Sequence, residues 1–242
     1  MKAMIFAAGL GTRLKPLTDT MPKAMVPIGG KPLIQHIIEK LKTAQFNEII
    51  INVHHFADQI IDFVRTNNSF DVRIEFSDEC NQLLDTGGGI KKASWFFDDN
   101  QPFLIHNVDI LSNVNLVELY ASHQKSDVMA TLLANDRKTS RYLLFNDENR
   151  LCGWINKQTD ETKSPFSSFN PVKYHELAFS GIHVLSPAVF SLMNDFSDRF
   201  SIIDFYLSVC DKVDIRAYAP DNISLLDVGK IDSLKEAEEM VK

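Results

Sequence analysis

The sequence predicts an α/β fold, a mixed, mainly parallel sheet covered by helices, and three observations carry that prediction. Short apolar runs alternate with longer stretches of helical period through the first half of the chain. A glycine-bearing loop, Ala7-Ala8-Gly9-Leu10-Gly11-Thr12-Arg13, follows directly on the apolar run Met4-Ile5-Phe6. The segments richest in chemistry fall at or near the carboxyl ends of such runs, where open parallel sheets bind ligands.

Lys2 to Phe6 reads as the first strand. Pro32 to Ala44 reads as a helix, because Leu33, Ile34, Ile37, Ile38 and Leu41 recur on one face. Glu48 to Val53 is a buried strand, followed by a helix over Phe56 to Thr66 and a strand over Val72 to Ser77. The glycines at 87 to 89 introduce a helix running to about Phe97, and Pro102 to Ile105 is a buried strand ending at Asn107-Val108-Asp109. The second half is less regular. It offers a helix near Asn115 to His123, a strand from Asp127 to Leu133, and a hairpin over Tyr142 to Asn156 turning at Asp147-Glu148-Asn149. Residues 158 to 175 lack periodicity and are expected to be mobile, as a functional flap or a disordered loop. Ala178 to Leu185, helices near Pro187 to Asn194 and Ile202 to Cys210, strands near Val213 to Tyr218 and Ser224 to Val228, and a helix from about Asp232 complete the chain.

The 242 residues, 45% apolar and 24% charged, suffice for one substantial core, so a single domain over 1–242 is expected. A net charge of −7 without clustered Lys and Arg argues against a nucleic-acid surface. No apolar stretch approaches ~18 residues and the first residues run straight into a strand, so no membrane contact is expected and the chain reads as cytoplasmic. A monomer or small homo-oligomer is expected. Cys80, Cys152 and Cys210 are widely spaced, which suits free thiols.

The opening loop has the composition of a phosphate grip. Gly9 and Gly11 let backbone N–H groups approach an anion, while Arg13 and Lys23 supply positive charge for a triphosphate. Leu14 stands where a dinucleotide-binding fingerprint needs its third glycine, and no Gly-Lys-Ser/Thr completes a P-loop. Asp109, at the end of a buried strand, needs a positive partner, and Mg²⁺ held by Asp109 and the distant Asp227 would provide one. The alternative for each aspartate is a cap on a following turn or helix, and for Arg13 and Lys23 it is ordinary surface charge. Gly87 and Gly88 would let a flat base lie against the backbone, and Gln82 either adds a side-chain amide to that pocket or is an ordinary exposed glutamine before a turn. His54 and His55 read as loop polar groups, and His106 as a satisfied core histidine.

The run Phe6-Ala-Ala-Gly-x-Gly-Thr-Arg-Leu-x-Pro-Leu-Thr, then Pro22-Lys23, Pro27 and Lys31-Pro32-Leu33, resembles the signature of the sugar-1-phosphate nucleotidyltransferases. The resemblance continues through Leu84-Asp85-Thr86-Gly87-Gly88-Gly89-Ile90, Asn107-Val108-Asp109, Phe179-Ser180-Gly181-Ile182 and Asp227-Val228-Gly229, and so covers nearly the whole chain. It implies a Rossmann-like domain that joins an NTP to a sugar 1-phosphate, releasing pyrophosphate, with Mg²⁺ on Asp109 and Asp227. In that reading Arg13 and Lys23 are catalytic, and Ala8, Gly9, Gly11, Thr12, Gln82, Gly87, Gly88 and Asn107 hold the nucleotide. Lys157 and Gly181 meet the sugar phosphate; for Gly181 a tight contact with a helix is the alternative. Three positions depart from the pattern: Val108 is branched where a small residue is usual, Lys230 replaces a threonine, and Asn156 replaces a glutamate before Lys157. Leu-Asp-Thr-Gly-Gly-Gly-Ile and Asn-Val-His-His-Phe-Ala-Asp look most like the N-acetylmuramate-1-phosphate uridylyltransferase and mannose-1-phosphate guanylyltransferase branches. The hexapeptide-repeat C-terminal domain of longer relatives is not seen in this sequence. Two rival functions stand beside this one. A cytidylyltransferase acting on a phospho-alcohol such as phosphocholine would want an aromatic cage, and a non-catalytic nucleotide-sugar sensor would tolerate loss of Arg13, Lys23, Asp109 or Asp227, all of which are present.

Overall fold

Apolar runs with no polar face form strands that must be covered on both sides, and the parallel half of the sheet consists of these. Lys2–Phe6 lies between Glu48–Val53 and Phe103–Asn107, and Arg73–Asp78 pairs beyond Glu48–Val53, all parallel. The computed structural model describes residues 1–241. Side chains of the first strand alternate between two cores: Ala3 and Ile5 pack with the helix Leu33–Thr43, whereas Met4 packs with Ile90, Phe96 and Phe103.

The other half is antiparallel. His175–Leu185 is the hinge strand, pairing with Phe103–Asn107, Ala130–Asn135 and Arg141–Phe145. Arg141–Phe145 continues into Leu151–Asn156, and Ile215–Tyr218 adds in parallel to Ala130–Asn135. A small ribbon off the main sheet pairs Ile110–Ser112 with Leu225–Asp227, which carries the chain near its end back to the end of Phe103–Asn107.

Most expected elements appear within a few residues of their predicted bounds, and two expectations are corrected. The helix predicted after the triple glycine instead spans Asp85–Lys92 and contains Gly87, Gly88 and Gly89; a short 3₁₀ turn, Ser94–Phe96, follows it. The segment 158–175 is folded rather than a loose flap. Glu161–Lys163 adds an edge strand to Leu151–Asn156, and Phe169 stacks on Tyr174 at 5.2 Å while lying over Gly153. Stacking of half-buried aromatic rings there replaces the periodicity the sequence lacked. Cys80, Cys152 and Cys210 are free thiols. No helix among the described residues is long and apolar enough to cross a membrane.

Candidate functional site

The carboxyl ends of Lys2–Phe6, Glu48–Val53 and Phe103–Asn107 open into a cleft of about 500 Å³. Its floor is the glycine loop. Gly11 adopts φ +63°, and a Cβ there would fall 2.9 Å from Thr18 and 3.1 Å from Lys23, so only glycine fits without strain. The Thr18 hydroxyl donates to the Gly11 carbonyl at 2.8 Å and holds the turn from below. Gly9 has nothing within 4 Å of a Cβ position, leaving its backbone open to the cleft.

Lys23 is buried, and its ammonium pairs with the Asp109 carboxylate, which is partly exposed to the cleft. A buried ammonium without such a partner would be costly. The Asp109 carbonyl accepts the Val228 N–H at 2.8 Å, and the ribbon register sets Asp227 opposite Ile110. The two aspartates, far apart in sequence, are therefore neighbours. Gly229 completes the corner: a Cβ on it would meet Asp227 Oδ1 at 2.6 Å and Arg13 Nη2 at 2.7 Å. Arg13 and Asp227 converge on one point. Asp227 Oδ1 is buried and accepts no hydrogen bond, and an acceptor in that condition is what a divalent cation satisfies. Among the described residues no three His, Cys, Asp or Glu side chains cluster as a metal site. A cation here would complete its shell from water and phosphate oxygens, the habit of Mg²⁺.

Of the residues expected at the site, Ala8, Gly9, Gly11, Thr12, Arg13, Lys23, Asn107 and Asp109 line the cleft, and Asp227 stands behind Gly229, which does. Val108 lines it as well. Others lie elsewhere. Gln82 is exposed and outside the lining. Gly87 and Gly88 do not present their backbone to the cleft: both N–H groups donate to the Phe200 carbonyl, at 2.9 and 3.2 Å. Their missing side chains make room for Phe200 and for the Asp198 carbonyl, 2.3 and 2.0 Å from the respective Cβ positions. Close packing is thus a sufficient physical reason for these glycines. Lys157 is paired with Glu176, outside the lining. Gly181 has φ +73°, and a Cβ would lie 2.5 Å from Asn107 Nδ2, so its smallness makes room for the Asn107 amide. Lys230 is exposed and outside the lining.

His54 Nδ1 donates to the Glu79 carbonyl at 2.7 Å. His106 is only half satisfied: Nδ1 donates to the Asn107 carbonyl at 2.8 Å, while the buried Nε2 has no partner. Burial pushes its pKa down to about 3. Trp154 faces the Lys163 ammonium at 5.3 Å rather than the cleft, and among the described residues Phe6 is the one aromatic side chain in the lining, so no aromatic cage for a quaternary ammonium is formed there.

A profile described as Nucleotidyl transferase matches residues 2–242. The chain belongs to that family. It is 34% identical over 192 residues to N-acetylmuramate alpha-1-phosphate uridylyltransferase of Neisseria meningitidis, a match covering 78% of this chain and 77% of that protein. It is 37% identical over 144 residues to UTP–glucose-1-phosphate uridylyltransferase of Synechocystis, covering 55% of this chain and 37% of that one. A mannose-1-phosphate guanyltransferase of Yarrowia lipolytica is 31% identical over 198 residues, 80% of this chain and 52% of that one. The chain therefore spans well under two thirds of the Synechocystis and Yarrowia proteins. Among solved structures, HddC from Yersinia pseudotuberculosis complexed with GMP-PN superposes with a TM-score of 0.77 at 25% identity, covering 100% of this chain and 99% of that one. UDP-glucose pyrophosphorylase complexed with UDP-glucose gives a TM-score of 0.78 at 20% identity, covering 99% and 97%, and shares the fold.

Several lining residues of this nucleotidyl transferase escaped the sequence reading. Leu83, Asp85 and Thr86, rather than Gln82 and the glycines, form the wall beside the glycine loop, and Arg199 lies on the rim. Asn52 and Glu79 also line the cleft. Asn52 was detectable as the polar residue interrupting Ile49-Ile50-Ile51-Asn52-Val53. Nothing in the polar stretch around Glu79 sets it apart.

Proposed function

We propose that this chain transfers a nucleoside monophosphate unit from an NTP to a sugar 1-phosphate, forming an NDP-sugar and pyrophosphate. The observation that carries this reading is the convergence of Arg13, Lys23, Asp109 and Asp227 at the mouth of a glycine loop. In the reaction a phosphate oxygen of the sugar 1-phosphate attacks the α-phosphorus in line. A new P–O bond forms there as the α–β P–O bond breaks, and the electron pair leaves with pyrophosphate. No covalent intermediate with the protein is needed, so the work is positioning two anions and neutralising their charge.

The open backbone at Gly9 takes phosphate oxygens of the NTP. Arg13, with its planar set of donors, stabilises charge developing on the departing pyrophosphate. Lys23 sits deeper and neutralises the α-phosphate. Asp109 and Asp227 would hold Mg²⁺, which would supply neutralisation of phosphate charge. Asn107, set by Gly181, faces the nucleotide. The relatives' names favour UTP or GTP with an aldose or amino-sugar 1-phosphate, and the free thiols suit a cytoplasmic enzyme. The test is a matrix of ATP, GTP, CTP, UTP and dTTP against several sugar 1-phosphates and phosphocholine, following pyrophosphate release with and without Mg²⁺. Release with one NTP and one sugar 1-phosphate, dependent on Mg²⁺, is expected; release only with phosphocholine, or with no pair, overturns the reading.

A further inference from the structure

We infer that Asn52 and Glu79 form a positioning bridge that ties the glycine loop to the opposite wall of the cleft and thereby sets nucleotide affinity without touching the transferred group. The inference rests on the proposed reading of this cleft as the nucleotide site. Glu79 is 1% exposed, and it forms no ion pair among the described residues. Burying a carboxyl group away from any cation is expensive unless its oxygens are hydrogen-bonded, and here both are. Oε1 accepts from Asn52 Nδ2 at 2.8 Å, and Oε2 accepts from the Leu84 N–H at 3.0 Å. Asn52, equally buried, turns its Oδ1 to the Ala7 N–H at 2.7 Å.

The outcome is a relay with two free ends that matter. Ala7 begins the glycine loop, and Leu84 immediately precedes Asp85 and Thr86 on the facing wall. The main chain of Glu79 is itself clamped, its N–H donating to the Val53 carbonyl at 2.8 Å and its carbonyl accepting from His54. Gly89 belongs to the same device: a Cβ there would come 2.9 Å from Glu79 Oε1 and 3.3 Å from Asn52 Nδ2. Two walls that approach a ligand from different strands are thus held in one spacing by two side chains.

The relay has a direction, which makes it testable. Ala7 and Leu84 both donate, so the bridge between them must accept at each end and contain one internal donor. Glu79→Gln puts a second amide into the bridge and forces two donors to face each other somewhere along it. Asn52→Asp sets two carboxylate oxygens face to face. The exchanged pair, Asn52→Asp with Glu79→Gln, again accepts at both ends and donates once inside, in nearly the same volume.

Each single variant is expected to weaken NTP binding about tenfold, with the KM for the sugar 1-phosphate changed less than about twofold. The exchanged pair is expected to return NTP affinity to within about threefold of the parent. Titration of the NTP against each protein, with Tm measured alongside, reads this out. Unchanged affinity in Glu79→Gln overturns the inference, and so does an exchanged pair that regains Tm but not affinity, because the bridge would then serve stability alone. If the parent protein binds none of the NTPs, the functional reading fails by itself, and hydrogen exchange judges the bridge separately. Asn52→Asp should then speed exchange at the Leu84 amide, which it does not contact, and the exchanged pair should restore protection; unaltered exchange at Leu84 overturns the bridge.

Discussion

The Val228 N–H donates to the Asp109 carbonyl at 2.8 Å, and this backbone bond holds the main chain of Asp109 beside that of Asp227, a residue separated from it by most of the second half of the chain. It extends the antiparallel pairing of Leu225–Asp227 with Ile110–Ser112, so the spacing of Asp109 and Asp227 is set by a strand register rather than by flexible loops. Asp109→Asn and Asp227→Asn are each expected to cut pyrophosphate release at least about a hundredfold, with EDTA doing the same to the parent. Asparagine is the informative replacement at 109, because alanine would leave the buried Lys23 ammonium without a partner and unfold part of the site. Near-parental turnover in Asp109→Asn, measured in a coupled pyrophosphate assay, would remove the proposed cation site.

Gly229 is the smallest possible spacer between a carboxylate and a guanidinium. A methyl group placed there lands 2.6 Å from Asp227 Oδ1 and 2.7 Å from Arg13 Nη2, so either side chain must move. Arg13 is exposed and long, and it moves more easily than Asp227, which is anchored by the ribbon. Gly229→Ala should therefore lower kcat about tenfold or more through displaced Arg13, while costing at most about 1–3 kcal/mol of stability. A parental kcat would mean Arg13 takes no part in the step.

The triple glycine offers a sharper contrast, because its members are small for different reasons. At Gly87 a Cβ meets the Phe200 ring at 2.3 Å, and at Gly88 it meets the Asp198 backbone carbonyl at 2.0 Å. Both alanine substitutions should destabilise the fold, by about 1–3 kcal/mol or more, in urea titrations. Phe200→Leu should recover part of the loss in Gly87→Ala, since a ring can be trimmed, and none of the loss in Gly88→Ala, where backbone is the obstacle. Equal recovery in both would show that the helix simply shifts.

That contrast also marks what the sequence could and could not disclose. The parallel strands, the helix Leu33–Thr43 with its five buried apolar residues and the Arg13, Lys23, Asp109 grouping were legible, because apolar period and glycine-bearing loops are local signals. Gly87 and Gly88 were legible as positions needing no side chain, but not as to what fills the space. The answer lies on residues 198–200, and a contact so remote leaves no local trace. Gly181 was ambiguous for the same reason until Asn107 was seen beside it. The segment 158–175 failed differently: its order comes from Phe169 and Tyr174 packing near Gly153, a tertiary effect without period.

Acid stability depends on three histidines far from the surface. Burial pushes the pKa of His106 and of His183 down to about 3 and that of His123 down to about 4, from an ordinary value of 6.5. Burial disfavours the charged form of all three; His123 lies between the Thr131 and Ser186 hydroxyls, and His183 meets the Tyr206 hydroxyl at 2.7 Å. Above pH 6.5 the folded and unfolded chains carry the same charge at these sites, and the contribution to stability is fully present. As pH falls below that value the unfolded chain takes up protons that the native state refuses, and stability drops until the folded histidines themselves titrate at about 3 to 4. The slope is about 1.4 kcal/mol per pH unit for each histidine, so the urea midpoint should fall clearly between pH 7 and pH 5, mostly above the carboxylate range. A midpoint that is flat over that interval would show that water or relaxation reaches these side chains and that their burial is not maintained in solution.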